Sequence, residues 1–500
     1  MRIAGLLAAA ALANAAPTSD VFAPRDPTQL RGRFLHVTDL HPDPYYRNGT
    51  AQRTSCHRGR PFGGDRAAGW YGHPVSSCDS PLSLINATFD YLRDHVASQI
   101  DFVILTGDSA RHDSDSSLDR PLSEVAELNL LIGSKMYDTF APVGVPVIFT
   151  IGNNDVGVHN TQRPGPSNVL DALHDAWHSF LPAPEHELFL SEGYYAREVI
   201  RDQLVVISLN TMWFFVSNGA VKGCKTRHDV GTRHLNWLAK RLAAYRKAGM
   251  QVHIMGHVPP TPAHWYPRCY KRYQRIVLDY QDTLIGQSFG HANVDYIDLL
   301  VHDKPRSKHF DVRALAPDEL RDQYRAVPSE RKTNEALYSI VNVAPSIVPT
   351  YNPSMRIYSY NASYASRFRQ GAVARGEVAE VADDWSVLDT LAQLPLGLFK
   401  KRRRHRKTQP PRHTSPNSPI RTNRFLTPLG YTQLYIDLPQ ANLRPEVPPE
   451  WHVEYETGQA YGMRDLTVGS WLGLARRLAA DDELYEAYVD RFSVGTGAVL

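Results

Sequence analysis

Arg33-Phe-Leu-His-Val-Thr-Asp-Leu-His41 joins a short, apolar, partly β-branched run to an Asp-x-His pair: a buried strand ending directly in metal-ligand side chains. The arrangement returns along the chain. Residues 101–106 precede Gly107-Asp108, residues 145–151 precede Gly152-Asn153-Asn154-Asp155, residues 204–209 end at Asn210, and residues 251–255 precede Gly256-His257. Helical stretches fall between them, over residues 84–99, 118–137, 168–179 and 232–248. Strands alternating with helices predict an α/β layered core. Loops at the carboxyl edges of such strands converge on one crevice, so Asp39, His41, Asp108, Asn153, His257 and His291 are candidates to meet.

Composition removes several classes. Of 500 residues, 42% are hydrophobic and 21% charged, which excludes a mostly disordered chain, and 32 Gly with 35 Pro in no G-X-Y period exclude collagen. Lys+Arg 55 against Asp+Glu 52 leaves a net +3, so no specific nucleic-acid partner is expected. The 21 histidines make the chain strongly cationic at acidic pH.

Met1-Arg2, an apolar run over residues 3–13 and the small-residue site Ala13-Asn14-Ala15 predict a signal peptide over residues 1–16. The run is too short to span a bilayer, so no transmembrane segment is expected after its removal. In an oxidising lumen Cys56, Cys78, Cys224 and Cys269 are candidates for two disulfides. Three pairings are open, and sequence proximity favours Cys56 with Cys78 and Cys224 with Cys269. Asn48-Gly-Thr, Asn86-Ala-Thr and Asn361-Ala-Ser are glycosylation acceptors.

Residues 337–360 read as two strands around the turn-rich stretch 348–353. From about residue 370 the pattern weakens into a run of Lys-Lys-Arg-Arg-Arg-His-Arg-Lys over residues 400–407, followed by prolines. The expected organisation is a catalytic domain over residues 31–365, a basic, proline-containing flexible insert over 366–424, and a C-terminal segment over 425–500. That last segment carries a strand near 432–438 returning to the core sheet and a helix over 471–492.

Zn, Mn and Fe accept imidazole nitrogen beside carboxylate oxygen, so a mixed Asp, His and Asn set suits two divalent ions with one carboxylate between them. Asp108, after a buried strand and a glycine that permits close approach, is the expected bridge. The set resembles the calcineurin-like metallophosphoesterases, with Asp39 and His41, Gly107-Asp108, Gly152-Asn153-Asn154-Asp155, Gly256-His257 and Gly290-His291-Ala292-Asn293 at the motif positions. Two positions depart: Asn154 stands where the family has a catalytic His, and Asn293 where it has a last metal-binding His. The stretches 34–46, 150–155, 256–260 and 346–353 resemble more narrowly the fungal vacuolar endopolyphosphatase family, a relative of acid sphingomyelinase, over residues 31–365 and again at 428–438.

That resemblance implies a four-layer α/β/β/α fold, a β-sandwich core flanked by helices. It implies two divalent ions (Mn, Mg, Co, Zn or Fe), the first among Asp39, His41, Asp108 and Asn293, the second among Asp108, Asn153, His257 and His291. It implies inorganic polyphosphate as substrate and the vacuole lumen as destination, with membrane attachment as the alternative. His112, four residues after Asp108, is a candidate acid or phosphate contact beside Asn154. A phosphate leaving from another phosphate is already a stable anion, so losing an imidazole at position 154 harms anhydride cleavage less than ester cleavage. His159, Arg163, Lys222, Lys225, Arg227 and His228 are candidate contacts to a long polyanion. Gly-x-Ser-x-Gly and a phosphate-binding Gly-x-x-x-x-Gly-Lys loop are absent from the sequence. The competing readings are a phosphodiesterase acting on lipid or nucleotide esters and a noncatalytic polyanion-binding protein.

Overall fold

A computed structural model describes residues 21–302, 317–364 and 410–497. The expected signal peptide, the basic run 400–407 and most of the expected insert lie outside the described residues. Strand β1 (Arg33–Val37) is buried beyond its first residue, and β4 (Phe102–Leu105) and β5 (Val147–Phe149) are buried throughout. Such continuous apolar runs suit parallel strands covered on both faces. The three lie parallel, joined by helices α1 (Leu82–Tyr91) and α2 (Leu122–Phe140), while β2 (Pro42–Asp43) and β3 (Ser80–Pro81) pair in a separate two-stranded ladder.

The first sheet is completed by β12 (Ser354–Tyr360), β13 (Pro428–Tyr435) and β14 (His452–Glu456), giving the order β14-β13-β12-β1-β4-β5. A second six-stranded sheet runs β10-β11-β9-β8-β7-β6, from β6 (Tyr195–Ile200), β7 (Leu204–Ser208), β8 (Gln251–Met255), β9 (Leu284–Phe289), β10 (Tyr296–Val301) and β11 (Tyr338–Val343). Its parallel strands β7, β8 and β9 are linked through helices of residues Val230–Ala248 and Pro267–Asp279.

The sheets pack face to face. Phe34 of β1 stacks at 4.7 Å on both Phe102 and Tyr358 and meets His253 of β8 edge-on at 5.5 Å. Buried Arg356 of β12 donates to the Val343 carbonyl and to Gln433 and pairs with Asp295, so each nitrogen of its guanidinium enters the core with a partner. With helices on the outside this is the expected α/β layered sandwich.

Two differences from expectation have local causes. The stretch 471–492 is two helices, Val468–Ala480 and Asp482–Phe492, because Asp481 leaves the helical region (φ −116°, ψ 113°) and its side chain caps the second helix at the Leu484 N–H. The stretch 84–99 is regular only to Tyr91, then widens into a π-turn over Leu92–Val96 and tightens over Ala97–Gln99.

Both disulfides form with the proximal pairing, Cys56–Cys78 and Cys224–Cys269. Asn48 and Asn86 are exposed, and Asn361 is half-buried with its amide donating to Asn423. Among the described residues, no helix is long and apolar enough to cross a membrane.

Core His253 bonds Ser288 at 3.0 Å, and burial lowers its pKa to about 3. The unfolded chain takes up that proton near pH 6.5 and the folded chain does not. The stabilising preference for neutral imidazole is therefore whole above 6.5 and lost as pH falls toward 3, at up to about 1.4 kcal/mol per unit. Chemical denaturation across this window is expected to show His253→Gln with a shallower acid decline than wild type; parallel declines would contradict the assignment.

Candidate metal centre

The carboxyl ends of β1, β4, β5, β8 and β9 carry the motif residues, and these loops are tied to one another. The Asp39 N–H donates to the Gly107 carbonyl at 3.0 Å, and the Leu40 and His41 N–H groups donate to the Asp108 carbonyl at 3.0 and 3.2 Å. The Gly290 N–H reaches the His257 carbonyl at 3.1 Å, and the His291 N–H reaches Asp39 Oδ2 at 3.0 Å. The chain bends sharply to do this: Asp39, His41, Asp108, His291 and Asn293 all have positive φ, between 41° and 69°. Non-glycine residues adopt that region at a cost, and such outliers cluster at functional sites.

Asp155 is the hub beneath the loops. Its buried carboxylate accepts from the N–H groups of Asp108, Ser109, Ala110 and Gly152 at 2.8 to 3.2 Å, and from Asn129 Nδ2 at 3.2 Å. Gly152 is required there, since a Cβ would lie 2.0 Å from Asp108 Oδ1.

Two donor groups share one residue. Asp39, His41 and Asp108 bring ligand atoms within 4.8 Å of one another, and Asp108, His257 and His291 do the same. His41 Nδ1 donates to the Ala110 carbonyl and His257 Nδ1 to the Thr106 carbonyl, both at 2.8 Å, which turns each Nε2 toward Asp108 Oδ2, at 3.3 and 3.2 Å. Asn153 Oδ1 lies 2.8 Å from His257 Nε2 and 2.7 Å from His291 Nδ1. All of these side chains are buried.

These residues fit a pair of divalent ions. Ligand bonds of about 2.0–2.2 Å separate neighbouring donors on one ion by roughly 3 Å, as found around Asn153 and His257. Asp39 Oδ1, His41 Nε2 and Asn293 Oδ1 are buried without a hydrogen-bond partner among the described residues. Burial opposes charge on His257, yet Asp108 and Asp39 raise it to about 9. Burial likewise opposes charge on His41, yet its contacts with Asp108 and Asp39 hold it well above the usual imidazole value. Without a metal, protons supply the positive charge that the carboxylates require.

The other expected residues fall around this centre. Asn154 gives two bonds to Asp108, from its backbone N–H to Oδ1 and from Nδ2 to Oδ2, both 2.8 Å, so it braces the shared carboxylate. Asn293 lies two residues past His291, and His41, Asp79 and His112 bring ligand atoms together as a third donor group beside the first. His112 stacks on His41 with ring centroids 3.9 Å apart. Its Nδ1 donates to Asp79 Oδ1 at 2.6 Å and its backbone N–H to Asp79 Oδ2 at 2.7 Å. Asp79 escaped the sequence reading because nothing in local spacing ties it to a histidine 33 residues on. Burial would raise its pKa, but His112, with His41 beyond it, holds it below the ordinary value.

Arg163, Lys222, Lys225, Arg227 and His228 are exposed, whereas His159 is half-buried between Asp113 at 3.1 Å and Asn153 at 3.3 Å. Trp213 and Trp265 pack the loop bases, fully buried, their indole N–H groups donating to the carbonyls of Glu192 and Val258.

Comparison with known proteins matches two stretches of the chain. Residues 32–301 match the calcineurin-like phosphoesterase family, and residues 421–498 match the acid sphingomyelin phosphodiesterase C-terminal region. An endopolyphosphatase of Cryptococcus neoformans is 32% identical over 93% of this chain and 92% of its own length. Endopolyphosphatases of Neurospora crassa and Schizosaccharomyces pombe are each 31% identical, over 90% and 91% of this chain and 78% and 84% of theirs.

Below its raised pKa of about 9, His257 must lose a proton before it ligates an ion. Titrating Mn into the metal-stripped protein at pH 7.5 is therefore expected to release protons, seen as a calorimetric heat that changes with the buffer's ionisation enthalpy. A buffer-independent heat would contradict this charge arrangement.

Proposed function

The chain belongs to the calcineurin-like phosphoesterase family, and from that premise we propose that it is a metal-dependent endopolyphosphatase, hydrolysing internal phosphoanhydride bonds of inorganic polyphosphate to shorter chains. The observation that carries the reading is the membership of Asp108 in both donor groups; the endopolyphosphatase relatives supply the substrate. Asp39, His41, Asp108 and Asn293 would hold the first ion, and Asp108, Asn153, His257 and His291 the second. Two bound divalent ions supply an activated water and offset charge on the phosphoryl group.

The remaining work belongs to this chain's own side chains. Asn154 and the Asp155 hub fix the orientation of Asp108. No protein nucleophile is required, and the leaving phosphate is a stable anion, which suits a site with Asn at position 154. Exposed Lys222, Lys225 and Arg227 on the loop clipped by Cys224–Cys269 offer contacts to phosphates flanking the cut bond. The leader, the two disulfides and the exposed acceptors Asn48 and Asn86 support a lumenal, vacuolar location.

A second reading, phosphodiester hydrolysis, is favoured by the C-terminal match over residues 421–498. Gel analysis of long polyphosphate digested with Mn, Mg, Co or Zn separates the two. The expected result is a ladder of intermediate lengths, with Asp108→Asn at least about 1,000-fold slower and depleted in metal. Steady orthophosphate release from otherwise intact chains would contradict internal cutting, and faster turnover of an aryl diester than of polyphosphate would favour the second reading.

A further inference from the structure

His174, His178 and His186 gather apart from the metal centre, in the segment between β5 and β6. The first lies in the helix Asn168–Trp177, the second opens the tight turn His178–Phe180 that follows it, and the third opens the helix His186–Glu192. His174 and His178 are four residues apart, the helical spacing at which two imidazoles share one face and can share one ion. His174 and His186 are half-buried, and His178 is exposed.

The pair of His174 and His186 repeats the geometry of a pair already assigned to one ion. His174 Nε2 is 2.8 Å from His186 Nδ1, with ring centroids 5.0 Å apart and planes at 69°. At the metal centre His257 Nε2 is 3.2 Å from His291 Nδ1, with centroids 5.0 Å apart and planes at 72°. Two imidazoles on one tetrahedral ion, each at about 2.0–2.1 Å, set their nitrogens roughly 3.3 Å apart. A parting of about half an ångström therefore admits an ion.

The rings are prepared for that use. His178 Nδ1 donates to the Asp175 carbonyl at 3.0 Å, which leaves the lone pair on Nε2. The Ala110 and Thr106 carbonyls fix His41 and His257 in the same way. His178 Nε2 meets Ser179 Oγ at 3.3 Å, and its ring centroid is 6.5 Å from that of His174, within reach of a side-chain rotation. Burial, with His186 and His178 beside it, lowers the pKa of His174, so its ring is neutral and able to ligate at pH 7.5. The backbone before His186 is fixed without any ion: Pro182 and Pro184 shape the turn, and Glu185 accepts from the Ala196 N–H and pairs with Arg241 at 2.7 Å.

We propose that His174, His178 and His186 form a separate binding site for one borderline transition ion such as Zn, outside the catalytic centre. Three imidazole nitrogens suit such an ion and do not suit Mg or Ca, which take oxygen ligands. On binding, the proton held between His174 and His186 leaves to solvent, each of the three nitrogens gives a lone pair to the ion, and water fills the fourth position. The ion ties the helix Asn168–Trp177 to the helix His186–Glu192 across the turn between them.

The test uses the intact protein carrying Mn, incubated with Zn at pH 7.5, desalted, and counted for all metals by mass spectrometry. Wild type is expected to gain one ion per chain over its Mn-only total, and His174→Gln and His186→Gln to gain none while melting with wild type before Zn is added. Exchange of Mn for Zn at the catalytic centre leaves these totals unchanged, so the result does not depend on the endopolyphosphatase reading. Losing an outer partner of a metal ligand already costs about 10-fold in affinity, so His178→Gln is expected to weaken the added Zn at least that much. In Zn-soaked wild-type crystals an anomalous peak at the zinc edge is expected between His174 Nε2 and His186 Nδ1. No gain in wild type, a gain that survives in both His174→Gln and His186→Gln, undiminished Zn affinity in His178→Gln, or a soaked crystal without that peak would each overturn the proposal.

Discussion

A single buried carboxylate, Asp108, sits between two sets of ligand atoms, and the surrounding architecture serves to keep it there. Its oxygens are approached by His41 and His257 at 3.3 and 3.2 Å and braced by Asn154 at 2.8 Å. An anion at that depth is costly unless positive charge arrives. The raised pKa of both imidazoles is the metal-free answer to that cost. The same demand explains the strained backbone at five of the seven expected ligand positions and the need for Gly152 against Asp108.

Two sheets are needed because neither reaches every ligand. β1, β4 and β5 deliver Asp39, His41, Asp108 and Asn153, while β8 and β9 deliver His257 and His291. The contact of Phe34 with His253 and the bond between Thr150 and Ser208 at 2.8 Å join the two sheets, the second of them two residues before Gly152. Packing of the sandwich and assembly of the site are thus one event, in which burial of the apolar strands holds polar loop ends at ligand distance.

Much of this was legible in the chain itself. Strands β1, β4, β5 and β8 are short apolar runs that stop at ligand residues, so their position and purpose read together, and β7 is a similar run that stops at Asn210. β9 was not read because Gly286 and Gln287 interrupt its apolar run, and β14 because an edge strand with exposed His452 and Val453 lacks a buried-strand signature. The helix Pro267–Asp279 hides its buried face of Cys269, Tyr270, Tyr273, Ile276 and Val277 among Arg and Lys residues. Within the site, the local motifs named the ligand candidates, but the pairing of Asp79 with His112 and the five-donor hub at Asp155 arise only when distant loops close. The bracing role of Asn154 likewise needed its two bonds to Asp108 to be seen.

The most direct measurement is an anomalous difference map from crystals grown with Mn. The account predicts two peaks about 3.5–4 Å apart, one against Asp39 and His41, the other against Asn153, His257 and His291, with Asp108 touching both. A single peak, or two peaks that do not share Asp108, would contradict it.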